Sequence, residues 1–365
     1  MRIISAIDSF KGCLGSVQAN SAVKNGAEGH DVVCVPVADG GEGTASAMCA
    51  ALRGEMVNCE TFDPLMRPIS AAYALCGEMA VIDVAAAIGL PLLSADERNP
   101  LLTTTYGVGV MIVDALRRGA RRIMVAMGGS STNDGGMGLL NALGVRFLSK
   151  DGAALPPCGA SLAKVAAIDT FGLDNRLSRC EIVAGYDVLT TAIGPEGCAS
   201  VFAPQKGADS LMVTALEAGM RNFADVAGRA YFEAVGSGAA GGIGAGLTAV
   251  LGASTVRGVD MVLDACGFDN TIAGADLIVT GEGAIDSQTL MGKTPMGVLE
   301  RGLRRGIPVV AVSGRIRERE KLLEAGFADV VCINPDGLSP QAAMCPERAM
   351  ENISATIARI LAHYC

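Results

Sequence analysis

Four largely apolar runs in this chain each end in a short cluster of glycine and charged or hydroxyl residues. The runs are Arg2–Ile7, Val32–Ala38, Ile123–Met127 and Asp276–Thr280. Short apolar runs followed by glycine are typical of buried strands that end in a tight turn. Because ligands bind at the carboxyl ends of strands in an open parallel sheet, we expect the four clusters to mark a binding edge.

The longest of these clusters is Gly128–Gly138, with the sequence GGSSTNDGGMG. Glycine lets the backbone turn sharply and brings N–H groups close to an anion, so such a loop suits phosphate. The other clusters are Asp8-Ser9-Phe10-Lys11-Gly12, Asp39-Gly40-Gly41-Glu42-Gly43-Thr44, and Gly281-Glu282-Gly283 continuing to Asp286. Carboxylates beside phosphate-binding glycines would repel the phosphate unless a divalent cation offsets their charge or one of them binds a proton. Both cases indicate phosphoryl transfer.

Composition narrows the class of protein further. The net charge of −9 and the absence of tryptophan argue against binding to nucleic acid or to anionic lipid. The twelve cysteines include no CxxC pair, which favours reduced thiols, a cytoplasmic location and no zinc site. The amino-terminal apolar segment is too short for a signal peptide, and no apolar run reaches the length of a membrane span. A length of 365 residues predicts about two domains.

The order of predicted elements indicates an α/β fold with two domains. Strands and helices alternate at both ends of the chain, which predicts a parallel, Rossmann-like sheet built from residues 1–56 and 271–365, together with 100–140. Residues 57–99 and 141–270 contain short, closely spaced strands and predict a second α/β domain inserted into the first. We expect Val201–Ala203 to continue this strand pattern, and Pro340–His363 to form a terminal helix.

Two segments look like nucleotide-binding motifs, but their context argues against both. Gly236–Gly241 satisfies GxGxxG, yet the run before it carries Glu233 and makes a poor buried strand, so a small-residue helix is favoured over a dinucleotide site. Gly292-Lys293-Thr294 resembles the end of a P-loop, but the required earlier glycine is Ser287. Lys293 still stands at a predicted helix start, where it could bind phosphate.

Asp187 is the candidate general base. It follows the apolar segment Glu181–Ala184, and a carboxylate at a strand end can take the proton of an attacking hydroxyl, although many such aspartates only cap turns. Lys206, in Gln205-Lys206-Gly207, adds a cation beside a turn. The only two histidines lie in a predicted connection and near the carboxyl end, so a Ser-His-Asp triad is not expected.

Taken together, the motifs resemble those of the bacterial glycerate kinase family. The resemblance covers essentially the whole chain in collinear order and rests on the clusters above, on PQKGA at 204–208, on Gly238–Leu247, and on Gln288-Thr289 with Gly292-Lys293. It implies ATP-dependent phosphorylation of D-glycerate, most simply at the 2-hydroxyl, with Mg²⁺ and with the active site in a cleft between the domains. ATP and glycerate are the expected partners, and assembly as a homodimer is left open.

The resemblance also implies roles for individual residues. Asp187 would act as the base, and Lys11 and Lys293 would hold phosphate oxygens. The expected metal ligands are Asp39, Glu42, Glu282 and Asp286, although which carboxylate serves as base and which holds metal stays open. The expected substrate or phosphate ligands are Asp8, Ser9, Gly129, Ser130, Ser131, Thr132, Asn133, Asp134, Lys206, Gly281 and Gly283.

The chain departs from the family pattern at two places. Thr190-Thr191 replaces the usual Asn-Pro after the Asp-Val pair, and Val110 stands where an acid is usual. The first change affects the position of Asp187 relative to the substrate, and the second removes either a contact at the site or a charge on the helix surface.

Two other functions remain as alternatives to a glycerate kinase. One is a kinase for a different small hydroxy acid or polyol, and the other is a sensor of a phosphorylated metabolite. Clustered carboxylates count against the sensor, since they would not help to bind an anion.

Overall fold

The structure is a computed structural model that describes residues 1–287 and 289–363, so Gln288 of the family motif lies outside the described residues. The strands are β1 (Arg2–Ile7), β2 (Asp31–Cys34), β3 (Glu55–Phe62), β4 (Pro68–Cys76), β5 (Met79–Asp83), β6 (Arg122–Ala126), β7 (Arg146–Leu148), β8 (Ala167–Asp169), β9 (Glu181–Tyr186), β10 (Ser254–Arg257), β11 (Leu277–Ile285), β12 (Val309–Ile316) and β13 (Asp329–Cys332). The helices are α1 (Ser16–Gly26), α2 (Thr44–Leu52), α3 (Ala85–Ile88), α4 (Tyr106–Arg117), α5 (Met137–Ala142), α6 (Cys198–Phe202), α7 (Ser210–Ala227), α8 (Arg229–Phe232), α9 (Ala239–Leu251), α10 (Gly258–Ala265), α11 (Phe268–Thr271), α12 (Thr294–Arg304), α13 (Arg319–Glu324), α14 (Pro340–Ala343) and α15 (Pro346–Leu361).

The chain divides into two compact units. Unit 1 contains Met1–Asp39, Ala50–Arg53 and Val259–Cys365, and unit 2 contains Gly40–Cys49 and Gly54–Gly258. The second unit is therefore inserted into the chain of the first. The mixed α/β fold class, with parallel sheets, is confirmed.

Unit 1 is built on a five-stranded parallel sheet in the order β13-β12-β11-β1-β2. Its strands are short and nearly continuous in Val, Ile and Ala, as expected when helices cover both faces of a parallel sheet. Ile3, Ile7 and Val279 of the sheet pack with Val23 of α1 and Ile353 of α15 in one buried core. This core holds β2, β1 and β11 side by side, so their carboxyl ends lie at one edge.

Unit 2 contains a six-stranded sheet in the order β10-β9-β6-β5-β4-β3. Strands β3, β4 and β5 are antiparallel neighbours, as their close spacing in the sequence predicts, whereas β5, β6, β9 and β10 run parallel. A separate antiparallel pair, β7 and β8, completes the strands described for this unit. The carboxyl ends of β6 and β9 deliver the glycine loop at 128–138 and Asp187.

The structure corrects three of our expectations. Residues 100–140 belong to unit 2, because β6 pairs with β5 and β9 rather than with a strand of unit 1. The predicted boundaries also differ at three shorter ranges: residues 40–49 and 54–56 belong to unit 2, and residues 259–270 belong to unit 1. The segment 201–203 is not a strand, because Val201 and Phe202 end α6 and Ala203 is its C-cap. The terminal helix is two helices, because Pro346 cannot continue a helix from Ala343 and instead begins α15.

A buried arginine ties α12 to the two helices before it. Arg301 on α12 has a side chain that is 7% exposed, and its guanidinium contacts Asp260, Asp264 and Asp269 at 3.1, 2.7 and 2.6 Å. These charge-assisted contacts raise the pKa of Arg301 further, so the charge persists at every relevant pH. The contacts hold the helix that begins at Thr294 and is capped by Lys293.

Replacing Arg301 with methionine is expected to destabilise unit 1 by about 2 kcal/mol. The loss in the free energy of unfolding is smaller than for a fully buried ion pair, because the three carboxylates are 25%, 61% and 44% exposed and water can solvate them in the variant. Thermal unfolding of Arg301→Met, with Arg304→Met on the exposed face of the same helix as the control, measures the effect. Equal melting temperatures for the two variants would show that the cluster adds nothing to stability.

Within residues 1–287 and 289–363, no helix is both long and apolar enough to cross a membrane.

Candidate active site

Three buried carboxylates lie at the carboxyl edge of the unit 1 sheet. Asp8 follows β1, Asp39 follows the extension of β2, and Glu282 lies on β11, whose Gly281 is in register with Ile7. The three strands are neighbours, so the acids come together as the parallel arrangement predicts. Gathering three carboxylates away from water creates a strongly negative position that favours a cation or a proton.

Asp8 has the most perturbed acid group at this edge. Its Oδ1 accepts a hydrogen bond from the Ser9 backbone N–H at 2.6 Å, and its Oδ2 accepts one from the Thr294 hydroxyl at 2.7 Å. Burial, and secondarily the charge of Asp39, raises the pKa of Asp8 to about 7 in spite of these two donors. Burial therefore favours the protonated form of Asp8, and the nearby charge of Asp39 adds to that effect.

The raised pKa of Asp8 predicts a pH-dependent stability. The folded protein binds a proton at Asp8 that the unfolded chain releases near pH 4, so stability present below about pH 4 is lost as the pH rises through about 7. The upper limit of this loss is about 4 kcal/mol, since one pKa unit corresponds to about 1.4 kcal/mol. We expect the melting temperature of nucleotide-free, metal-free protein to fall between pH 5 and pH 8, and to fall less in Asp8→Asn.

The control for this prediction is Asp336→Asn, at an exposed position in the same unit, which should behave as the parent protein does. The prediction would be contradicted if the melting temperature fell equally with pH in all three proteins.

Two lysines stand beside these acids. Lys293 Nζ lies 3.9 Å from Glu282 Oε2, and Lys11 Nζ lies 3.5 Å from Asp39 Oδ2. The Lys293 side chain is 30% exposed and the Lys11 side chain 62% exposed, so Lys293 is the more enclosed cation. Burial raises the pKa of Glu282, while Lys293 and the Thr289 hydroxyl, which donates to Glu282 at 2.8 Å, oppose that change.

Lys293 is the N-cap residue of α12, as its predicted position at a helix start requires. The first N–H groups of a helix have no partner within the helix, and the helix dipole places partial positive charge there. Pro295 contributes no N–H, and its fixed backbone suits the first turn. An ammonium and a helix N-terminus at the same position form a suitable environment for phosphate oxygens.

The glycines of β11 have a packing role that the sequence did not indicate. A Cβ on Gly281 would lie 2.1 Å from the carbonyl oxygen of Val312, and one on Gly283 would lie 3.3 Å from Cα of Phe10. Both glycines lie within β11 rather than in a loop after it, because the strand continues to Ile285. They let the neighbouring β12 and the Asp8–Lys11 turn approach β11 closely. Their contact with phosphate stays a prediction, and so does the role of Asp286 in the turn after the strand.

In unit 2, the glycine loop is fixed by Asp134. This buried carboxylate accepts hydrogen bonds from the Thr105 N–H and hydroxyl at 2.8 and 2.9 Å, and from the N–H groups of Gly136 and Gly138 at 3.0 and 3.1 Å. Ser131 likewise donates to the carbonyl oxygen of Ile88 at 2.9 Å. Asp134 and Ser131 therefore shape the loop, and the structure gives their side chains internal partners.

A pocket of about 300 Å³ opens beside this loop. It is lined by Gly129 and Ser130 of the loop, by Asp187 after β9, and by Gln205 and Lys206. Four predicted site residues from three separate segments of the chain, Gly129, Ser130, Asp187 and Lys206, thus meet in one cavity. Asp187 is half-buried at the end of β9, where the strand delivers it to the pocket wall.

Lys206 is fully buried at this pocket. Its Nζ donates hydrogen bonds to Ser130 Oγ at 3.0 Å and to the carbonyl oxygen of Thr132 at 2.7 Å. Burial lowers the pKa of Lys206 to about 8, against the opposing influence of Cys198 and Asp134. The Thr132 hydroxyl and both amide atoms of Asn133 are buried without a hydrogen-bond partner among the described residues.

The segment that satisfies GxGxxG forms part of this pocket rather than a dinucleotide site. Helix α8, not a strand, precedes it, and residues 239–251 form the small-residue helix that we favoured. Ala240, Gly241 and Gly242 all have positive φ, and Ala240 lines the pocket. A Cβ on Gly241 would lie 2.2 Å from the carbonyl oxygen of Thr132, so this glycine allows the helix start to approach the loop.

Sequence reasoning missed Asp83, which organises the segment that carries Glu42. The Asp83 carboxylate accepts hydrogen bonds from the N–H groups of Gly43 at 2.8 Å and Ala45 at 2.9 Å, at the start of α2. Glu42 Oε2 would lie 3.7 Å from a Cβ on Gly129, so this carboxylate adjoins the glycine loop. The missed signal was present, since Asp83 ends a short apolar run, as Asp8 does.

The four predicted metal ligands are divided between the units: Glu42 belongs to unit 2, and Asp39, Glu282 and Asp286 belong to unit 1. Among residues 1–287 and 289–363, no group of three His, Cys, Asp or Glu side chains is arranged to bind a metal ion. The oxygen donors present nevertheless suit Mg²⁺, which proteins commonly bind through one or two carboxylates together with substrate phosphates.

Comparisons with known proteins agree with the motif analysis. A sequence model of the glycerate kinase family matches residues 3–364. The glycerate kinase of Bacillus subtilis strain 168 is 40% identical over 373 residues, covering 98% of each chain, and the glycerate 2-kinase of Escherichia coli K12 is 37% identical, also covering 98% of each chain. A crystal structure designated glycerate kinase 2, from Salmonella typhimurium LT2, superposes with a TM-score of 0.89 at 37% identity, covering 100% of this chain and 98% of that one.

These matches span the whole chain and confirm the resemblance that the loop motifs indicated. The chain belongs to the glycerate kinase family.

Proposed function

We propose that this protein transfers the γ-phosphoryl group of ATP to the 2-hydroxyl of D-glycerate and so forms 2-phosphoglycerate and ADP. The observation that carries the proposal is the pocket of about 300 Å³ in unit 2, where a carboxylate, a hydroxyl and a buried ammonium face a space suited to a small metabolite. The family supports the kinase reaction, and the E. coli relative named glycerate 2-kinase supports the 2-position.

Asp187 is the proposed general base. Its carboxylate would accept the proton of the glycerate hydroxyl as that oxygen attacks phosphorus, and the bond from phosphorus to the ADP oxygen would break. Its place on the pocket wall, on a loop that follows a rigid buried strand, supports this role. The hydroxyl of Ser130 and the backbone of Gly129 would orient the acceptor there.

The polar edge of unit 1 supplies the proposed phosphate site. Lys293 at the start of α12 and Lys11 after β1 would hold phosphate oxygens, with Ser9 and the backbone near Gly281 and Gly283 beside them. The proposed Mg²⁺ ligands are the carboxylates Asp39 and Glu282, with Asp286 and Glu42 as further candidates. Bound Mg²⁺ would offset charge on the phosphate oxygens, and the raised pKa of Asp8 supports a need for such a cation.

Release of ADP across a panel of acceptors tests this function. The panel should contain D-glycerate, L-glycerate, glycolate, lactate and glycerol, and we expect turnover to be highest with D-glycerate. A phosphorus NMR spectrum of the product then distinguishes 2-phosphoglycerate from 3-phosphoglycerate. Preference for another acceptor would overturn the substrate assignment, and 3-phosphoglycerate as first product would overturn the regiochemistry.

We also propose that the protein works in the reducing cytoplasm. Eleven of its cysteines fall within residues 1–287 and 289–363, and all eleven are free thiols, which supports this location.

A further inference from the structure

Among the residues that the structure describes, Lys206 is a buried cation without a carboxylate partner. Its Nζ has two acceptors, Ser130 Oγ and the carbonyl oxygen of Thr132, and both are uncharged. Across the described part of the chain, no carboxylate lies within ion-pair distance of this ammonium. A buried ammonium without an opposite charge is costly, so such groups usually pair with an anion or lose their proton.

The ammonium retains one donor for a ligand. A lysine side chain carries three N–H donors, and two are used within the protein. Lys206 is also part of the pocket wall, so the remaining donor belongs to a group that adjoins the empty space. A small anion in the pocket would supply both the missing acceptor and the missing charge.

The acidic and thiol groups around Lys206 do not supply that charge. Asp134 influences the pKa of Lys206 through its charge, but its carboxylate makes no ion pair with Lys206 and is held by four hydrogen bonds from Thr105, Gly136 and Gly138. Burial raises the pKa of the Cys198 thiol to about 12, so the thiol is neutral at physiological pH. Asp187 lines the same pocket, whereas the two hydrogen bonds that Lys206 donates go to Ser130 and Thr132.

We propose that Lys206 binds the carboxylate of the acceptor and thereby makes the pocket selective for short hydroxy acids over uncharged polyols. The carboxylate of the substrate would be attracted to Lys206, and its hydroxyl is the group that the proposed base Asp187, in the same pocket, would deprotonate. The inference rests on the proposed function and deepens it by naming the residue that distinguishes an acid from an alcohol.

Lys206→Met tests the proposal through two acceptors of the same length, D-glycerate and its amide, of which only the first carries a negative charge. We expect kcat/KM for D-glycerate to fall about 10²-fold, because truncating one partner of a desolvated charge pair has an effect of that size. We expect kcat/KM for the amide to change less than about threefold, and KM for ATP to stay at the parent value. Lys164→Met, at an exposed position in the same unit, should match the parent with both acceptors.

An equal loss with both acceptors would overturn the proposal, because it would mean that Lys206 only holds the glycine loop through Ser130 and Thr132. Parental kinetics with D-glycerate would overturn it as well. If the variant does not fold, the parent protein alone decides the question through proton uptake on binding.

That second measurement is calorimetry of D-glycerate and of lactate binding to the parent protein without ATP, in two buffers of different ionisation enthalpy. The pKa of Lys206 in the free protein is about 8. A bound carboxylate raises it, so binding should take up about half a proton at pH 8 and almost none at pH 6. The amide should bind weakly and without proton uptake. Absence of uptake with either acid at pH 8 would overturn the proposal.

The calorimetric test does not depend on turnover. Failure to phosphorylate D-glycerate, together with proton-linked binding of hydroxy acids, would reject the proposed reaction and support the role of Lys206. Phosphorylation of D-glycerate and of its amide at equal kcat/KM by the parent protein would support the reaction and reject that role.

Discussion

Asp187→Asn is expected to lower kcat for glycerate phosphorylation about 10²-fold to 10⁴-fold, while ATP affinity stays close to the parent value. General-base catalysis contributes about that factor, and the amide preserves the shape of the side chain but cannot accept the proton. Asp187 lines the pocket in unit 2 and is not among the proposed phosphate or metal ligands, so we expect nucleotide binding to be retained.

The test must record both ATP binding and single-turnover rate in folded protein. Asp209→Asn is a matched control, because Asp209 caps α7 through the N–H of Met212 and asparagine serves equally well at an N-cap. If ATP binding and rate collapse together in Asp187→Asn, the residue belongs to the nucleotide or metal site and the base must be sought elsewhere. If neither ATP binding nor rate changes, the loop that contains Asp187 and Thr190-Thr191 has no role in the reaction.

Lys293→Met is expected to reduce kcat/KM for ATP about 10²-fold to 10³-fold, the size of effect seen when one preorganised electrostatic donor is removed. Its ammonium stands at the start of α12, 3.9 Å from Glu282, where an incoming phosphate would meet both the ammonium and the helix N-terminus. Lys11→Met should produce a smaller loss, because its side chain is 62% exposed and water screens its charge more strongly.

Lys321→Met supplies the control, since Lys321 is an exposed lysine of the same unit that pairs with Glu318 and should not affect kinetics. Parental kinetics in Lys293→Met would show that this residue is only a surface lysine. A larger loss in Lys11→Met than in Lys293→Met would reverse the assignment of the principal phosphate ligand. Both outcomes are read from the same initial-rate series over ATP concentration.

Local pattern predicted the architecture of unit 1 well. Alternating strands and helices at both ends of the chain correctly indicated a parallel sheet, and the apolar run at Arg2–Ile7 coincides with β1. The gathering of Asp8, Asp39 and Glu282 at one edge followed from parallel strands alone. The position of Lys293 at a helix start was also readable from the sequence, because helix starts depend on neighbouring residues.

Contacts between segments that lie far apart in the chain were harder to predict from the sequence. The sequence showed that residues 122–126 form a strand, but only its pairing with β5 and β9 placed it in unit 2. The segment 201–203 is apolar enough for a strand, yet Val201 and Phe202 end a helix and Ala203 caps it. Asp83 was overlooked because its partners, Gly43 and Ala45, lie far away along the chain.

The sequence by itself determined the alternation of strands and helices, the glycine turns and the kinds of side chain available for phosphoryl transfer, because these depend on neighbours within a few residues. Only the tertiary structure decided that Ser130, Asp187 and Lys206 share one pocket, and that Lys206 is buried there with no carboxylate partner among the described residues. Burial and charge pairing depend on which distant segments pack together, and the free energy of that packing is a sum over the whole fold. The residues that carry the chemistry were therefore visible in the sequence, whereas their electrostatic state was not.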